Sequence, residues 1–124
     1  MIWLIGIGGA LGSALRYLLG NYMKSRFHQI VFFPLGTWVI NMTGSFILGI
    51  LIKLHMEDII NDGMWFLIGV GFCGAYTTFS TFGYETLTLI RVKKIHLALV
   101  YVIVSILAGV LAAGTGYGLI NFVI

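Results

Sequence analysis

Long stretches without a charged side chain dominate this sequence and restrict the folds that it can adopt. Residues 27–52, 63–84 and 97–124 contain no Lys, Arg, Asp or Glu, and residues 2–23 contain one such side chain, Arg16. A helix that crosses a membrane needs about 20 predominantly apolar residues, and each of these stretches is long enough. Because a bilayer core offers no water to the backbone, a spanning segment must satisfy its own hydrogen bonds. The stretches therefore predict transmembrane helices.

Short polar segments separate the stretches and divide the chain into four spans. We predict helices over residues 2–22, 33–53, 63–90 and 96–122, within a single membrane domain that covers residues 1–124. The composition agrees with this fold class, an all-α integral membrane protein, because 60% of the residues are hydrophobic and only 9% are charged. A soluble domain carries about 25% charged residues, so a soluble enzyme is excluded.

The remaining composition excludes further classes of function. The single cysteine, Cys73, rules out a disulfide within the chain and a cysteine-based zinc site. His28, His55 and His96 lie near the ends of the predicted spans and share no metal-ligand spacing. The net charge of +3 comes from seven basic residues that form no run of the kind that binds nucleic acid. We therefore predict that the protein is not an enzyme and binds no nucleic acid.

Glycine accounts for 17 residues and predicts close helix packing. Gly8 and Gly12 form a GxxxG pattern, and so do Gly114 and Gly118. Small residues at this spacing let two helix backbones approach closely in lipid. Four tightly packed helices enclose little space, so a pore or substrate pathway is expected to need a second subunit.

The third span contains an unusual group of hydroxyl side chains. Residues 71–85 read GFCGAYTTFSTFGYE, in which Gly74 precedes four Thr and Ser residues. Non-helical backbone at membrane depth is tolerated only where protein or a water-filled cavity covers it, and it frees carbonyl groups to bind ions. The residues are compatible both with such a break and with an unbroken helix whose hydroxyls bond the preceding turn.

Three polar residues within the spans need a structural or functional reason. Arg16 and Glu85 are charged, and a charge inside a bilayer costs at least about 2.5–3.5 kcal/mol on insertion scales. Both lie towards a span end, so each is either an interfacial side chain or a residue of an ion pathway. Asn41 lies in the middle of the second span, where its amide either bonds another helix or faces a polar pathway.

Aromatic and hydroxyl side chains extend this polar set. Phe79 and Phe82 are three residues apart and share a helix face, as do Tyr101 and Ser105 in the fourth span. Phenylalanines at this spacing usually pack a core, but the positive edge of an aromatic ring also attracts an anion. The hydroxyl groups around the phenylalanine pair leave both possibilities open.

Three segments together carry a family resemblance. Residues 8–17 read GGALGSALRY, residues 34–49 read PLGTWVINMTGSFILG, and residues 71–85 contain the TTFSTF core. These motifs, with the length of the chain and the number and order of its spans, resemble the Fluc/CrcB family of fluoride channels. The resemblance covers essentially the whole chain.

The resemblance implies an architecture and a function. Members of the family form antiparallel dimers of four-helix subunits, with a break in the third helix. The dimer carries two fluoride pathways and holds a structural sodium ion, which is not transported, at its centre. The implied function is passive, fluoride-selective export of cytoplasmic fluoride across the cell membrane, which protects the cell from fluoride toxicity.

The motif positions carry the family's functional residues onto this chain. The implied fluoride pathway consists of Asn41, Phe79, Phe82, Thr81, Glu85, Tyr101 and Ser105. Arg16 matches the family's arginine of the first helix, with a structural or vestibule role. The backbone carbonyls of Gly74 and Thr77 match the ligands of the sodium ion.

Basic residues are distributed unequally between the two sides of the membrane. On one side, five basic residues follow the first and third spans: Lys24, Arg26, Arg91, Lys93 and Lys94. On the other side there is one, Lys53, at the end of the second span. Basic loops remain in the cytoplasm, so both termini are predicted outside. A protein that inserts equally in both orientations is expected to lack such a bias. The bias therefore favours a heterodimer with an oppositely oriented paralogue, and a homodimer stays open.

Two other functions fit part of the sequence. Transporters of the small multidrug resistance type also have four helices and antiparallel dimers, but they need a carboxylate in the first helix. Here that helix contains Arg16 and no Asp or Glu. A non-conducting partner subunit of a heterodimeric fluoride channel needs only the glycine packing, which leaves Asn41 and the TTFSTF core unexplained.

Overall fold

The computed structural model describes residues 1–27 and 33–124, apart from the side chain of Phe27, so His28 lies outside the described residues. Three long helices are α1 (Ile2–Phe27), α2 (Leu35–Met56) and α5 (Ile95–Val123). Together with the segment Asp62–Arg91, they give the described chain four helical stretches that are long and apolar enough to cross a membrane. The predicted all-α fold, with four helical stretches suitable for spanning a membrane, is confirmed.

The third stretch consists of two helical segments. The first, α3, covers residues 62–76 and contains a nine-residue π-helix, Trp65–Cys73, between two short α-helical turns. The second, α4, is Ser80–Arg91. Between them, Thr77 has the extended backbone angles φ −76° and ψ 157°. Residues 77–79 therefore lie outside helical structure in the middle of an apolar stretch.

Helix α1 packs on α3 through the first GxxxG pair. A Cβ atom on Gly8 would collide with the carbonyl oxygen of Leu67, and one on Gly12 would collide with the carbonyl oxygen of Phe72. The absence of a side chain at both positions lets the two backbones touch. These glycines act as the sequence predicts.

Helices α2 and α5 form the second tight pair. The backbone of Ala113 meets α2 at Gly49, and the backbone of Phe46 meets α5 at Gly116. The prediction for the other GxxxG pair is wrong within the single chain. In the described part of the protein, no atom outside their own helix lies within 4 Å of a Cβ placed on Gly114 or Gly118. Each is two residues from Gly116, which turns it about 200° around the helix, away from α2.

Apolar side chains cover the outside of the bundle. The exposed set includes large residues on every long helix, such as Leu18 on α1 and Leu107 and Leu111 on α5. A surface of this kind is unfavourable in water, because exposed apolar patches of such extent mark membrane or protein contacts. A smaller buried cluster of Leu89, Ala98 and Tyr101 joins α4 to α5.

Candidate functional site

The Asn41 side chain binds the non-helical segment from a different helix. Its Nδ2 donates to the carbonyl oxygen of Thr78 at 3.0 Å, and its Oδ1 accepts from the Thr78 backbone nitrogen at 2.8 Å. Both backbone groups of Thr78 are therefore paired, although no helix continues through it. An amide nitrogen carries two hydrogens, so Asn41 retains a second donor beyond this contact.

Two backbone N–H groups near the non-helical segment do not bond the carbonyl oxygens of Gly74 and Thr77, as they would in a continuous helix. The Thr78 N–H, which would bond the Gly74 carbonyl four residues back, instead bonds Asn41. The Thr81 N–H, which would bond the Thr77 carbonyl, instead bonds Thr78 Oγ1 at 3.2 Å. The two carbonyl oxygens are thus freed from their usual helical partners. Unwound carbonyls of this kind are suitable ligands for a sodium ion.

Acidic and histidine side chains do not build a metal site in the described ranges. Across residues 1–27 and 33–124, no group of three His, Cys, Asp or Glu side chains is arranged to hold a metal ion. A cation near the non-helical segment would depend on backbone oxygens. The residues present fit such a ligand set, since Gly74 and Thr77 supply two oxygens per chain.

A cavity of about 520 Å³ opens between α1, α2 and α4. We call it the vestibule. Its α1 wall contributes the cations Arg16 and Lys24, and the facing wall contributes Thr37, Thr81 and Glu85. Arg16 and Glu85, which the sequence places on different spans, therefore face one space. Positive charge at such a mouth raises the local concentration of anions.

Tyr101 lies behind the wall of the vestibule, where it contacts the lining residue Glu85. Its side chain is completely buried, and its hydroxyl donates to Glu85 Oε1 at 3.1 Å. Thr37 lines the same cavity as Glu85. The ring of Phe82 lies 5.0 Å from the Tyr101 ring at 47°, and the ring of Phe33 lies 5.1 Å away, edge to face at 88°. Hydroxyl, carboxylate and aromatic edges thus converge at one point.

The two predicted phenylalanines have different environments. Phe82 is partly buried against the Tyr101 cluster, whereas Phe79 is 84% exposed. Their ring centres are 6.2 Å apart. Phe79 therefore borders the site without being enclosed by its own chain.

The structure brings most of the predicted residues to one region. Arg16, Thr81 and Glu85 line the vestibule. Tyr101 is joined to it through Glu85, and Asn41 through Thr78, which lines the wall. Ser105 is one turn beyond Tyr101 on α5 and is not among the residues that line this cavity. Its assignment to the pathway stays a prediction.

Three residues of the site, Lys24, Thr37 and Thr78, are absent from the pathway that the sequence predicts. The spacing does place Thr37 on one helix face with Asn41, four residues later, but it assigns Thr37 no part in the pathway. The role of Thr78 was not readable, because it acts through backbone atoms and its partner is 37 residues away. Lys24 follows an apolar stretch and looks like an ordinary flanking charge.

Comparison with known proteins identifies the family of this chain. The family model described as CrcB-like protein, camphor resistance (CrcB), matches residues 3–117. The chain belongs to the CrcB family. Three CrcB relatives carry the name fluoride-specific ion channel FluC or FluC 2. The Clostridium acetobutylicum protein is 45% identical over 88% of each chain. The Rhodococcus jostii protein is 38% identical, over 95% of this chain and 96% of its own length. The Gloeothece citriformis protein is 39% identical, over 97% of this chain and 96% of its own length.

Proposed function

We propose that this CrcB chain is a passive, fluoride-selective channel of the plasma membrane. The observation that carries the proposal is the vestibule, where Arg16 and Lys24 face a wall that ends in the Tyr101–Glu85 hydrogen bond. The names of the relatives, fluoride-specific ion channels, support the choice of ion. Channels are not enzymes, so the residues of the site are expected to bind and release an ion without chemistry.

Conduction requires the pathway to replace the water around fluoride. Moving an ion from water into a site without hydrogen-bond donors is strongly unfavourable. The second N–H of Asn41 and the hydroxyls of Thr81 and Ser105 are the donors that we assign to this task. The Tyr101 hydroxyl has one hydrogen and donates it to Glu85, so we assign Tyr101 the role of holding that carboxylate in place on the pathway.

The phenylalanines supply attraction without a fixed charge. The edge of an aromatic ring is electropositive, and Phe82 already packs on Tyr101 with its ring tilted by 47°. A site that holds the ion weakly lets it leave again, which conduction requires. We assign Phe82 and Phe79 to this role.

The direction of transport follows from the membrane potential. Fluoride enters cells as neutral HF and dissociates inside, where the anion is trapped. A potential of 100 mV is worth about 2.3 kcal/mol for one charge, which corresponds to a concentration ratio of roughly 50. A channel open to fluoride alone would therefore export it without ATP and protect the cell.

A second subunit completes the proposed channel. Phe79 is exposed beside the site, and Gly114 and Gly118 face outwards on α5. An antiparallel partner would cover such surfaces in the membrane, and it is either a second copy or an oppositely oriented paralogue. At its centre the carbonyls of Gly74 and Thr77 from each subunit would hold a structural sodium ion, whose positive charge would stabilise the freed oxygens.

The alternatives receive less support. A small multidrug resistance transporter is not favoured, since α1 carries Arg16 at the vestibule and no carboxylate. A non-conducting partner subunit would have no use for the vestibule and the Tyr101–Glu85 contact.

The function is tested by fluoride efflux from liposomes that contain the purified chain alone. A fluoride electrode records release after the membrane is made permeable to the counter-ion, and a chloride electrode provides the control. We expect rapid release of fluoride and none of chloride.

The outcome also identifies the partner. Fluoride release by the pure chain would establish the homodimer. If the pure chain releases no fluoride and release begins when an oppositely oriented paralogue is added, the heterodimer is established. If neither preparation releases fluoride, the channel is refuted.

The orientation of the chain is a separate prediction. Ser25, exposed in the last turn of α1, follows the first predicted span and is expected inside, whereas Ile59, exposed between α2 and α3, is expected outside. In intact cells, a membrane-impermeant thiol reagent should label Ile59→Cys and spare Ser25→Cys. The native Cys73 is 2% exposed and provides a silent background. Equal labelling of the two variants would contradict a single orientation.

A further inference from the structure

Trp38, near the site, has a buried indole nitrogen for which the proposed pathway gives no role. Its indole nitrogen is buried and has no hydrogen-bond partner among residues 1–27 and 33–124. In that part of the chain, the hydroxyl oxygen of Ser105 is the other buried side-chain atom in this condition. Buried donors are almost always paired, so two unpaired ones in one place indicate a ligand.

Both residues lie in the contact seam between α2 and α5. Trp38 precedes Met42 by four residues and Ser45 by seven, which puts all three on one face of α2. That face meets α5 at Gly109, whose Cβ position lies 3.7 Å from Met42 and 3.8 Å from Ser45. Ser105 is one turn before Gly109 on α5 and therefore faces the same seam.

The two residues also lie at the same depth. Phe33 contacts Tyr101, and Met42 faces Gly109. The partners differ by 68 and 67 in residue number, and because this difference is nearly constant, α2 and α5 run in the same direction. Ser105 follows Trp38 by 67 positions. The side chains thus stand across the seam from one another.

The seam is continuous with the site. Trp38 packs against the cluster that contains Tyr101, and the Tyr101 hydroxyl bonds Glu85 at the vestibule wall. Ser105 is one turn further along α5 from Tyr101. A line of polar groups therefore leads from the vestibule to the unpaired atoms.

We propose that Trp38 contacts fluoride, with its indole N–H and the Ser105 hydroxyl donating to the ion in the α2–α5 seam. This inference rests on the proposed function and adds a residue to it. An indole nitrogen only donates, and a hydroxyl can donate as well, so the pair suits an acceptor that brings no hydrogen of its own. Fluoride is about the size of a water molecule and enters where a larger halide does not.

Tryptophan fluorescence tests the contact without changing Trp38. Replacing Trp3, which is 80% exposed, and Trp65, which stacks on His55, by phenylalanine leaves Trp38 as the single reporter. In liposomes of the assembly that is competent in the efflux test, sodium fluoride should change its emission saturably and sodium chloride should not. Adding Ser105→Ala to the same background should remove or greatly weaken the response.

A second variant gives an independent readout. Trp38→Phe keeps an aromatic ring and removes the N–H, and we expect fluoride efflux about tenfold slower, equivalent to about 1.4 kcal/mol. Trp3→Phe, the matched control, should stay within about twofold of the parent.

The results separate this inference from the function. The first case concerns liposomes that release fluoride. If their Trp38 emission does not change with fluoride, or changes equally with chloride, the role of Trp38 is overturned and the channel remains. An unchanged efflux rate in Trp38→Phe would do the same. Liposomes that release no fluoride would refute the channel itself, and this inference with it.

Discussion

Fluoride efflux should fall about 100-fold or more when Asn41 is replaced by alanine. The substitution removes both hydrogen bonds to Thr78, the donor at 3.0 Å and the acceptor at 2.8 Å. Each unpaired buried backbone group costs about 1–3 kcal/mol, and a factor of 100 corresponds to about 2.8 kcal/mol. The segment 77–79 loses its anchor, and the proposed pathway loses an amide donor at once. The electrode assay in liposomes measures the rate.

Two controls distinguish a lost pathway from a lost fold. Asn121→Ala makes the same chemical change at an exposed position near the end of α5 and should leave efflux unchanged. Asn41→Asp keeps the size and the acceptor of the side chain but removes the donor, so it should also be inactive while it remains monodisperse in detergent. Wild-type efflux by Asn41→Asp would remove this amide from the proposed pathway.

Gly8→Ala should cause the largest loss of stability among single-methyl changes in α1. The added methyl group meets the carbonyl oxygen of Leu67, which belongs to the backbone of α3 and cannot rotate away. Overpacking of this kind costs about 1–3 kcal/mol, and we expect the upper end. Unfolding of the purified protein by a denaturing detergent measures the change in its free energy.

Gly6→Ala provides a matched control two residues earlier on the same helix. In the described part of the chain, no atom outside α1 lies within 4 Å of the methyl group that this substitution adds. Alanine favours a helix over glycine by about 1 kcal/mol, so this variant should be as stable as the parent or more so. Equal destabilisation by both substitutions would show that the α1–α3 contact does not depend on Gly8.

The positions of the spans could be predicted because transfer into lipid depends mainly on local composition. Uncharged stretches of more than 20 residues have few alternatives to a transmembrane helix. The pattern also identifies Arg16 and Glu85 as residues that need a reason, and the structure places both at the vestibule. Helix bounds differ from the predicted ones by up to five residues, as at Phe27, because polar flanking residues continue a helix once it has formed.

Partners across helices could not be predicted from spacing. Gly8 with Gly12 and Gly114 with Gly118 are the same pattern, yet within the described residues only the first pair has a helix opposite to it. Asn41 was equally compatible with packing and with a pathway, and its two hydrogen bonds to Thr78 show that it holds the non-helical segment against α2. The spacing in the sequence shows which residues share a helix face. Which helix packs against that face depends on how the whole bundle assembles.

The contact between Asn41 and Thr78 also constrains how the chain enters the membrane. Asn41 is synthesised 37 residues before its partner, so α2 is already available when residues 77–79 emerge. Unpaired backbone groups in hydrocarbon cost several kcal/mol each, which prevents this segment from resting alone in lipid. The third stretch must therefore meet α2 during its own insertion, and biosynthetic order supplies the binding site before the segment that needs it.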